Sequence, residues 1–316
     1  MNAASLRRLR RARSKLSQWL RKQRRGKLVA LEHSFHRLFP AGARLRRVAT
    51  GCRFTEGPVW MPEHDSLFFT DIPANRIFAL ESGNKLRIFR EPSGHANGLA
   101  RDAAGRLVTC EHSTRRVTRT ELDGSVTVLA DRFNNMPLNS PNDVVVSRSG
   151  AIYFTDPTYG IKPGMQEQPV QGVYRLSPQE GTLALVADDF IGPNGLAFSP
   201  DETRLYVDDS SAHRHIRVFD VLADGSLAND RVFHDMRGRG PGSPDGMKVD
   251  EEGNVYCTGA GGVWVFDQTG RLLGIIGTPE QPSNCAWGDA DRKTLYITAQ
   301  SSVYKVSVAL RGSGLF

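Results

Sequence analysis

Six polar residues recur along the chain in one short setting: Glu56, Asn97, Asn142, Asn194, Asp245 and Asn284, spaced 41, 45, 52, 51 and 39 residues apart. Two are carboxylates and four are amides. Brought to one point away from water, two like charges are costly unless something neutralises them. A divalent cation does so, with Glu56 and Asp245 matching its charge and amide carbonyl oxygens completing the shell. The set contains no His or Cys, so ligand softness argues against a dedicated zinc site. All-oxygen ligation favours Ca²⁺, with Mg²⁺, Mn²⁺ or Zn²⁺ as other occupants. Four protein ligands would leave two or more positions for water and substrate, as a catalytic metal requires. The competing reading is local, because Asn-Gly and Asp-Gly are common turn dipeptides and strands begin where turns end. Six copies in register, two of them acidic, favour the cation.

The elements that would position these residues are legible around each copy. Ser140-Pro141-Asn142-Asp143 runs into Val144-Val145-Val146, then through a Gly turn into Ile152-Tyr153-Phe154-Thr155-Asp156. Glu56-Gly57-Pro58-Val59-Trp60 leads in the same way to Leu67-Phe68-Phe69-Thr70-Asp71. Third strands follow in five copies and fourth strands in five. A period near 45 residues with four short strands per unit is the mark of a β-propeller blade. The sequence therefore predicts an all-β fold, a six-bladed β-propeller. The sixth copy has no fourth strand after Val308, and residues 45–49 (Leu-Arg-Arg-Val-Ala) fit that place. An N-terminal strand would then close the last blade and hide two sheet edges. The expected division is a basic extension over residues 1–42, helical or disordered, and a catalytic propeller over 43–316.

Innermost propeller strands line the central channel, so the six polar side chains should converge on its axis at one mouth. The ends of the second strands reach the same mouth. They carry Asp71, Glu111-His112, Asp156 with Tyr159, Asp208-Asp209 and Gln300. Long connections over 157–172 and 229–243, rich in Gly and Pro, are lid candidates there. The turns at the opposite face read as ordinary surface hairpins. His112, His95 and Glu111 are each placed to bond a substrate hydroxyl, against a purely structural role.

The chain of 316 residues has 41 Lys plus Arg and 34 Asp plus Glu. Residues 1–28 hold 11 of the bases and no acid, leaving 30 basic against 34 acidic residues elsewhere. The propeller body thus carries no signature of a nucleic-acid groove. Leu9, Ala12, Leu16 and Leu20 recur at helical spacing among the arginines. That segment reads either as a basic amphipathic helix for an anionic membrane or nucleic acid, or as a solvated extension. The four cysteines are far apart, without a CxxC pair, and read as small buried thiols. With no apolar run for a signal peptide or membrane span, the expected location is the cytoplasm.

Several spaced phrases resemble the gluconolactonase branch of the senescence-marker/regucalcin/gluconolactonase family. They are Glu56-Gly57-Pro58-Val59-Trp60, His95-Ala96-Asn97-Gly98-Leu99, Cys110-Glu111-His112 with Arg115-Arg116-Val117, Ser140-Pro141-Asn142-Asp143, Pro193-Asn194-Gly195-Leu196 and Ser243-Pro244-Asp245-Gly246. The resemblance covers residues 44–308. It implies a six-bladed propeller that holds one divalent cation and hydrolyses sugar lactones. It implies metal ligation by Glu56, Asn142, Asn194 and Asp245, with Asp245 also the acid/base. The regucalcin branch has an Arg two positions before the residue matching Asn142; here that position is Ser140.

The leading expectation is a divalent-metal-dependent hydrolase that opens aldonolactones such as gluconolactone. Asn97, Glu111, His112 and Asn142 are the expected substrate contacts, since a polar mouth suits a polyhydroxylated ring. The alternatives are another lactonase or a phosphotriesterase on the same ring, or a non-enzymatic calcium-binding propeller. Ser-His-Asp catalysis is not favoured, because no Gly-x-Ser-x-Gly elbow follows a strand.

Overall fold

Among the described residues, twenty-four strands pair antiparallel into six four-stranded sheets; one further strand joins one of these sheets, and a two-stranded ribbon forms a separate one. The computed structural model describes residues 26–314 apart from Pro178, Arg239 and Pro241. The innermost strands are Thr55–Met61, Ala96–Arg101, Val144–Val146, Pro193–Phe198, Met247–Val249 and Pro282–Gly288. Each pairs with the next strand in sequence, so a blade is a simple meander of local hairpins. Apolar side chains from neighbouring blades interlock, as where Tyr256 and Val265 of blade five meet Cys285, Leu295 and Tyr304 of blade six. Several turns at the face opposite the polar residues are closed by an aspartate that accepts backbone N–H groups. Asp102 Oδ1 takes those of Ala104 and Arg106, and Asp250 Oδ1 those of Glu252 and Asn254. Those acids serve the turns, as expected.

Arg46–Thr50 is the fourth strand of blade six, paired antiparallel with Ser302–Ser307. The ring is therefore closed by the strand expected at residues 45–49. The segment before it does more than connect. Leu28–Ala30 adds a fifth strand to the outer edge of blade five, pairing with Leu272–Gly277. A 3₁₀ helix over His33–Leu38 then buries Phe35 and Leu38 between blades five and six, with Phe39 against them. Gly274 makes this possible, because a Cβ there would lie 2.5 Å from the Phe35 ring. The arginine-rich run with helical spacing falls mostly within residues 1–25, outside the described residues.

One lid candidate is shorter than expected. Leu227–Asp235 is the fourth strand of blade four, so only residues after Asp235 form the connection. Cys110, Cys257 and Cys285 are buried, Cys52 is half-buried, and all four are free thiols. No helix among the described residues is long and apolar enough to cross a membrane.

Candidate functional site

The upper ends of the six innermost strands come together because their backbones almost touch. Gly57 is held at φ +51°, and a Cβ there would lie 2.0 Å from the Asn97 carbonyl oxygen. A Cβ on Gly246 would lie 1.9 Å from the Asn284 side chain. Glycine after the polar residue is thus a packing requirement that draws adjacent strands, and the side chains before them, to the axis.

Five of the six side chains are buried there, and Asp245 is half-buried. Asn97 donates through Nδ2 to Asn142 Oδ1, and Asn142 in turn to Asn194 Oδ1. Asn194 bonds Asp245 and donates to Ser210 Oγ at 2.9 Å. On the other side Asn284 donates to Glu56 Oε2 at 3.0 Å. Glu56 lies close enough to Asp245 to raise its charging cost, and Asp143 does the same to Glu56. The structure therefore brings Glu56, Asn97, Asn142, Asn194, Asp245 and Asn284 into one ring.

Two further carboxylates stand with them. Asp143 reaches across the axis to accept Asn284 Nδ2 at 3.3 Å and is bonded by the Val144 N–H. Asp208, fully buried, lies against Asp245, Asp143 and Gly195, and its Oδ1 has no hydrogen-bond partner among the described residues. Burial, the first cause in each case, pushes all four carboxyls above the ordinary range; their mutual repulsion adds to it for Glu56, Asp208 and Asp245. Lys248 opposes the rise at Glu56 and Asp143 from below. Four acids against one lysine is a donor set with an excess of negative charge and an orphaned buried oxygen. A divalent cation held by Glu56, Asn142, Asn194 and Asp245 fits it in charge and in ligand type.

Sequence could have revealed both added acids. Four copies of the repeated phrase place Gly after the polar residue, at Gly57, Gly98, Gly195 and Gly246, whereas the third places Asp143. Asp208 occupies the position of Thr70, Thr155 and Thr258 in other blades. Those hydroxyls donate to backbone carbonyls of the following blade, Thr70 to Asn97 O at 3.1 Å and Thr155 to Asn194 O at 2.8 Å. A carboxylate in place of that hydroxyl is the signal.

His112 joins the ring from blade two. Its Nε2 lies 3.1 Å from Asn97 Nδ2 and 3.2 Å from Asn142 Oδ1. Burial pulls its pKa down to about 4, with His95 acting in the same direction, so at neutral pH the imidazole is an uncharged hydrogen-bonding group. His95 backs it, offering its carbonyl oxygen to the His112 N–H at 3.3 Å. Ser140 fastens the connection over 157–170 across this edge: Oγ donates to Pro157 O at 2.6 Å and accepts the Gly160 N–H at 2.9 Å. Gly160 packs against His112 so closely that a Cβ would lie 2.5 Å from the His112 Cβ. Tyr159, from the same connection, donates to Gly192 O at 3.0 Å at the edge of the mouth.

Glu111 is not brought to the ring, which corrects the expectation that it contacts substrate. Its carboxylate is buried in a clamp of Arg90 at 2.9 Å, Arg116 at 2.7 Å, Thr118 at 2.9 Å and Thr114. With both oxygens engaged, it ties blade two to Arg90 on the outer strand of blade one. Asp71 and Asp156 are likewise structural. Asp71 accepts the Arg53 and Phe54 N–H groups, and Asp156 that of Asn139, each securing the chain that enters its own blade.

Residues 54–301 match the family described as SMP-30/Gluconolactonase/LRE-like region. The chain is 34% identical over 307 residues to a gluconolactonase of Zymomonas mobilis subsp. mobilis, covering 89% of this chain and 86% of that protein. It is 28% identical to the pentonolactonase XacC of Haloferax volcanii, covering 80% and 84%. A solved gluconolactonase from Xanthomonas campestris superimposes with a TM-score of 0.83 at 35% identity, covering 89% of this chain and 94% of that one.

Proposed function

The chain belongs to the SMP-30/Gluconolactonase/LRE-like family, and from that premise we propose that it is a divalent-cation-dependent lactonase that opens sugar lactones to aldonic acids. The observation that carries this reading is the convergence of Glu56, Asp245, Asn142 and Asn194 into one largely buried ring, flanked by Asn97 and His112. Ca²⁺ is the proposed occupant, because every donor is a carboxylate or amide oxygen. Such a cation would offset the crowded negative charge and polarise the lactone carbonyl.

The chain's own residues then divide the work. Asp245 is the proposed base. Burial and the neighbouring acids raise its proton affinity above that of a surface carboxylate, which suits it to take a proton from the attacking water and return one to the departing ring oxygen. Asn194 bonds Asp245 and is itself held by Ser210, which fixes the carboxylate's direction. Asn97, Asn142 and neutral His112 present donors and acceptors to the hydroxyls of a sugar ring. A bare ring would leave those buried groups unpaired, at about 1–3 kcal/mol each. This is the reason for proposing a polyhydroxylated substrate.

The experiment is a panel of lactones assayed by pH-stat, on protein stripped with chelator and refilled one metal at a time. Activity should vanish on stripping and return with Ca²⁺, and kcat/KM should favour gluconolactone over unsubstituted δ-valerolactone. Equal kcat/KM for those two rings would overturn the substrate assignment. Full turnover in the stripped protein would overturn the role of the cation.

A further inference from the structure

Blade four carries three side chains of metal-ligating type that the ring does not use. Asp209 ends its second strand and His215 begins its third, and the two are direct cross-strand partners. His213 lies in the tight connection between them, where Arg214 takes a left-handed φ of +45°. Ligand atoms of Asp209, His213 and His215 all lie within 4.8 Å of one another. Nδ1 of His213 is 3.8 Å from Asp209 Oδ2, and the two imidazole rings are 5.2 Å apart. Donors bound about 2 Å from one zinc sit roughly 3.4 Å from each other. His213 is exposed, so a small side-chain rotation closes that gap.

The carboxylate is already oriented. Asp209 accepts the Ile191 N–H through Oδ2 at 3.1 Å and the Ser211 N–H through Oδ1 at 2.8 Å. Outer hydrogen bonds of this kind fix a ligand in place. By itself this clasp would mean little, because Asp71 and Asp156 make the same kind of contact in blades one and three. The pair of histidines sets blade four apart: residues 72–76 after Asp71 contain no histidine, and neither does the connection over 157–170. The connection also lies apart from the ring. Asp208 points to Asp245, whereas Asp209, one residue on in the strand, faces the other way.

We propose that Asp209, His213 and His215 form a second metal site, selective for a borderline first-row cation such as Zn²⁺, on the same face of the propeller as the ring. The two sites divide cations by ligand chemistry. The ring offers only oxygen and suits Ca²⁺; the blade-four site offers two imidazole nitrogens and one carboxylate, which suit Zn²⁺. Three protein ligands leave the remaining position to water. Asp235, the partner of His215 on the other side, is occupied by Arg237 and stays outside the set.

The test is calorimetric titration of Zn²⁺ into the full chain in millimolar Ca²⁺, which keeps the ring filled with its preferred ion. Wild type should bind one Zn²⁺ saturably. His213→Ala and His215→Ala should each weaken that binding at least tenfold. His33→Ala/His36→Ala, which removes a neighbouring histidine pair elsewhere on the chain, and Asp245→Asn should leave it unchanged. His213 is exposed, so its variant keeps the fold even if His215→Ala does not. Co²⁺ supplies a second readout, since imidazole ligation gives visible absorption bands that His213→Ala should abolish. Zn²⁺ bound as tightly by His213→Ala as by wild type, or no saturable Zn²⁺ in wild type, would overturn the proposal. Neither result bears on lactone hydrolysis at the ring.

Discussion

The same six strands build two opposite environments at their two ends. Above, they present Glu56, Asn97, Asn142, Asn194, Asp245 and Asn284, with Asp143 and Asp208 between them. Below, they present Val59 and Trp60, Leu99 and Ala100, Val144 to Val146, Phe198, Val249 and Trp287 around a cavity of about 150 Å³. The lower end of each strand is an ordinary apolar surface, and its stability comes from area removed from water. The upper end concentrates buried charge, which no cation-free fold holds without loss. The difference separates the residues that shape the propeller from those that give it chemistry, although both lie on one strand a few residues apart.

The largest expected effect tests the upper end. Asp245→Asn keeps the shape of the side chain and a carbonyl oxygen but removes charge and basicity. If Asp245 is the base, kcat should fall by roughly 10²–10⁴-fold, and saturating Ca²⁺, Mn²⁺ or Zn²⁺ should not restore it. Wild-type turnover in a variant shown by calorimetry to be fully metallated would reduce Asp245 to a ligand at most.

Phe198→Ala makes the matching test below. Phe198 is buried at the lower end, with its ring edge-on to Tyr153 at 5.1 Å. Its truncation should cost about 3–5 kcal/mol of stability, read by denaturant unfolding, while kcat/KM of the folded protein stays within a fewfold of wild type. A loss of turnover comparable to that of Asp245→Asn would mean that the two ends are not separable.

The repeat made most of the fold legible, because each blade closes through local hairpins whose strands, turns and spacing recur in sequence. Blade six needed its missing strand, and residues 46–50 filled it. What stayed illegible depends on contacts far apart in the chain. Leu28–Ala30 reads as a short apolar run, and only the free edge of Leu272–Gly277 turns it into a strand. For that reason a chain beginning at Ala41 should unfold at a lower temperature than one beginning at Gly26. It loses that strand together with the burial of Phe35 and Leu38, about 1.5–3 kcal/mol for each side chain. The ring was legible by register, since six equivalent positions must converge. Glu111 misled because it shares a strand end with His112 but points into Arg90 and Arg116, a partnership no motif announces. Asp143 and Asp208 were visible only as exceptions, acids where most other blades place Gly or Thr and the remaining ones Cys285 and Cys110.

Buried acids also make the upper end respond to pH in a way the lower end cannot. Glu56 is raised from 4.5 to about 7, and Asp143, Asp208 and Asp245 are raised as well, in each case chiefly by burial. The unfolded chain releases these protons by about pH 5. Between there and about pH 7 the metal-free fold binds more protons at these acids than the unfolded chain does. Buried His112, lowered to about 4, acts in the opposite sense, but as one group against four it leaves stability falling as pH rises through that window. Exposed acids held low by partners, such as Asp235, are ionised in both states across it and add no slope. Added Ca²⁺ should reverse the fall, with the largest rise in unfolding temperature at the alkaline end. A metal-free protein whose stability climbs from pH 5 to 7 would contradict the excess of negative charge on which the cation site depends.

The smallest effect belongs to the residue that joins the two environments. Lys248 lines the lower cavity, and its Nζ donates to Met247 O at 3.0 Å. Its charge nevertheless reaches upward, easing the ionisation of Glu56 and Asp143. It therefore competes with the cation for the same carboxylates. Lys248→Met keeps the length and apolar stem that the cavity wall needs and removes only the charge. Cation affinity should then rise by a fewfold, the scale of roughly 1 kcal/mol for one charge acting over several ångströms in a partly screened interior. The acid limb of the pH–rate profile in limiting metal should move to higher pH, because the acids lose a partner that helps them ionise. If Lys248 were only part of the apolar wall, neither quantity would shift, and the methionine would be silent or slightly stabilising. Calorimetry of Ca²⁺ binding at pH 8, where the carboxylates are most fully ionised, separates the two outcomes. Unchanged or weaker Ca²⁺ binding by Lys248→Met would show that the lower half of the channel is electrically independent of the ring above it.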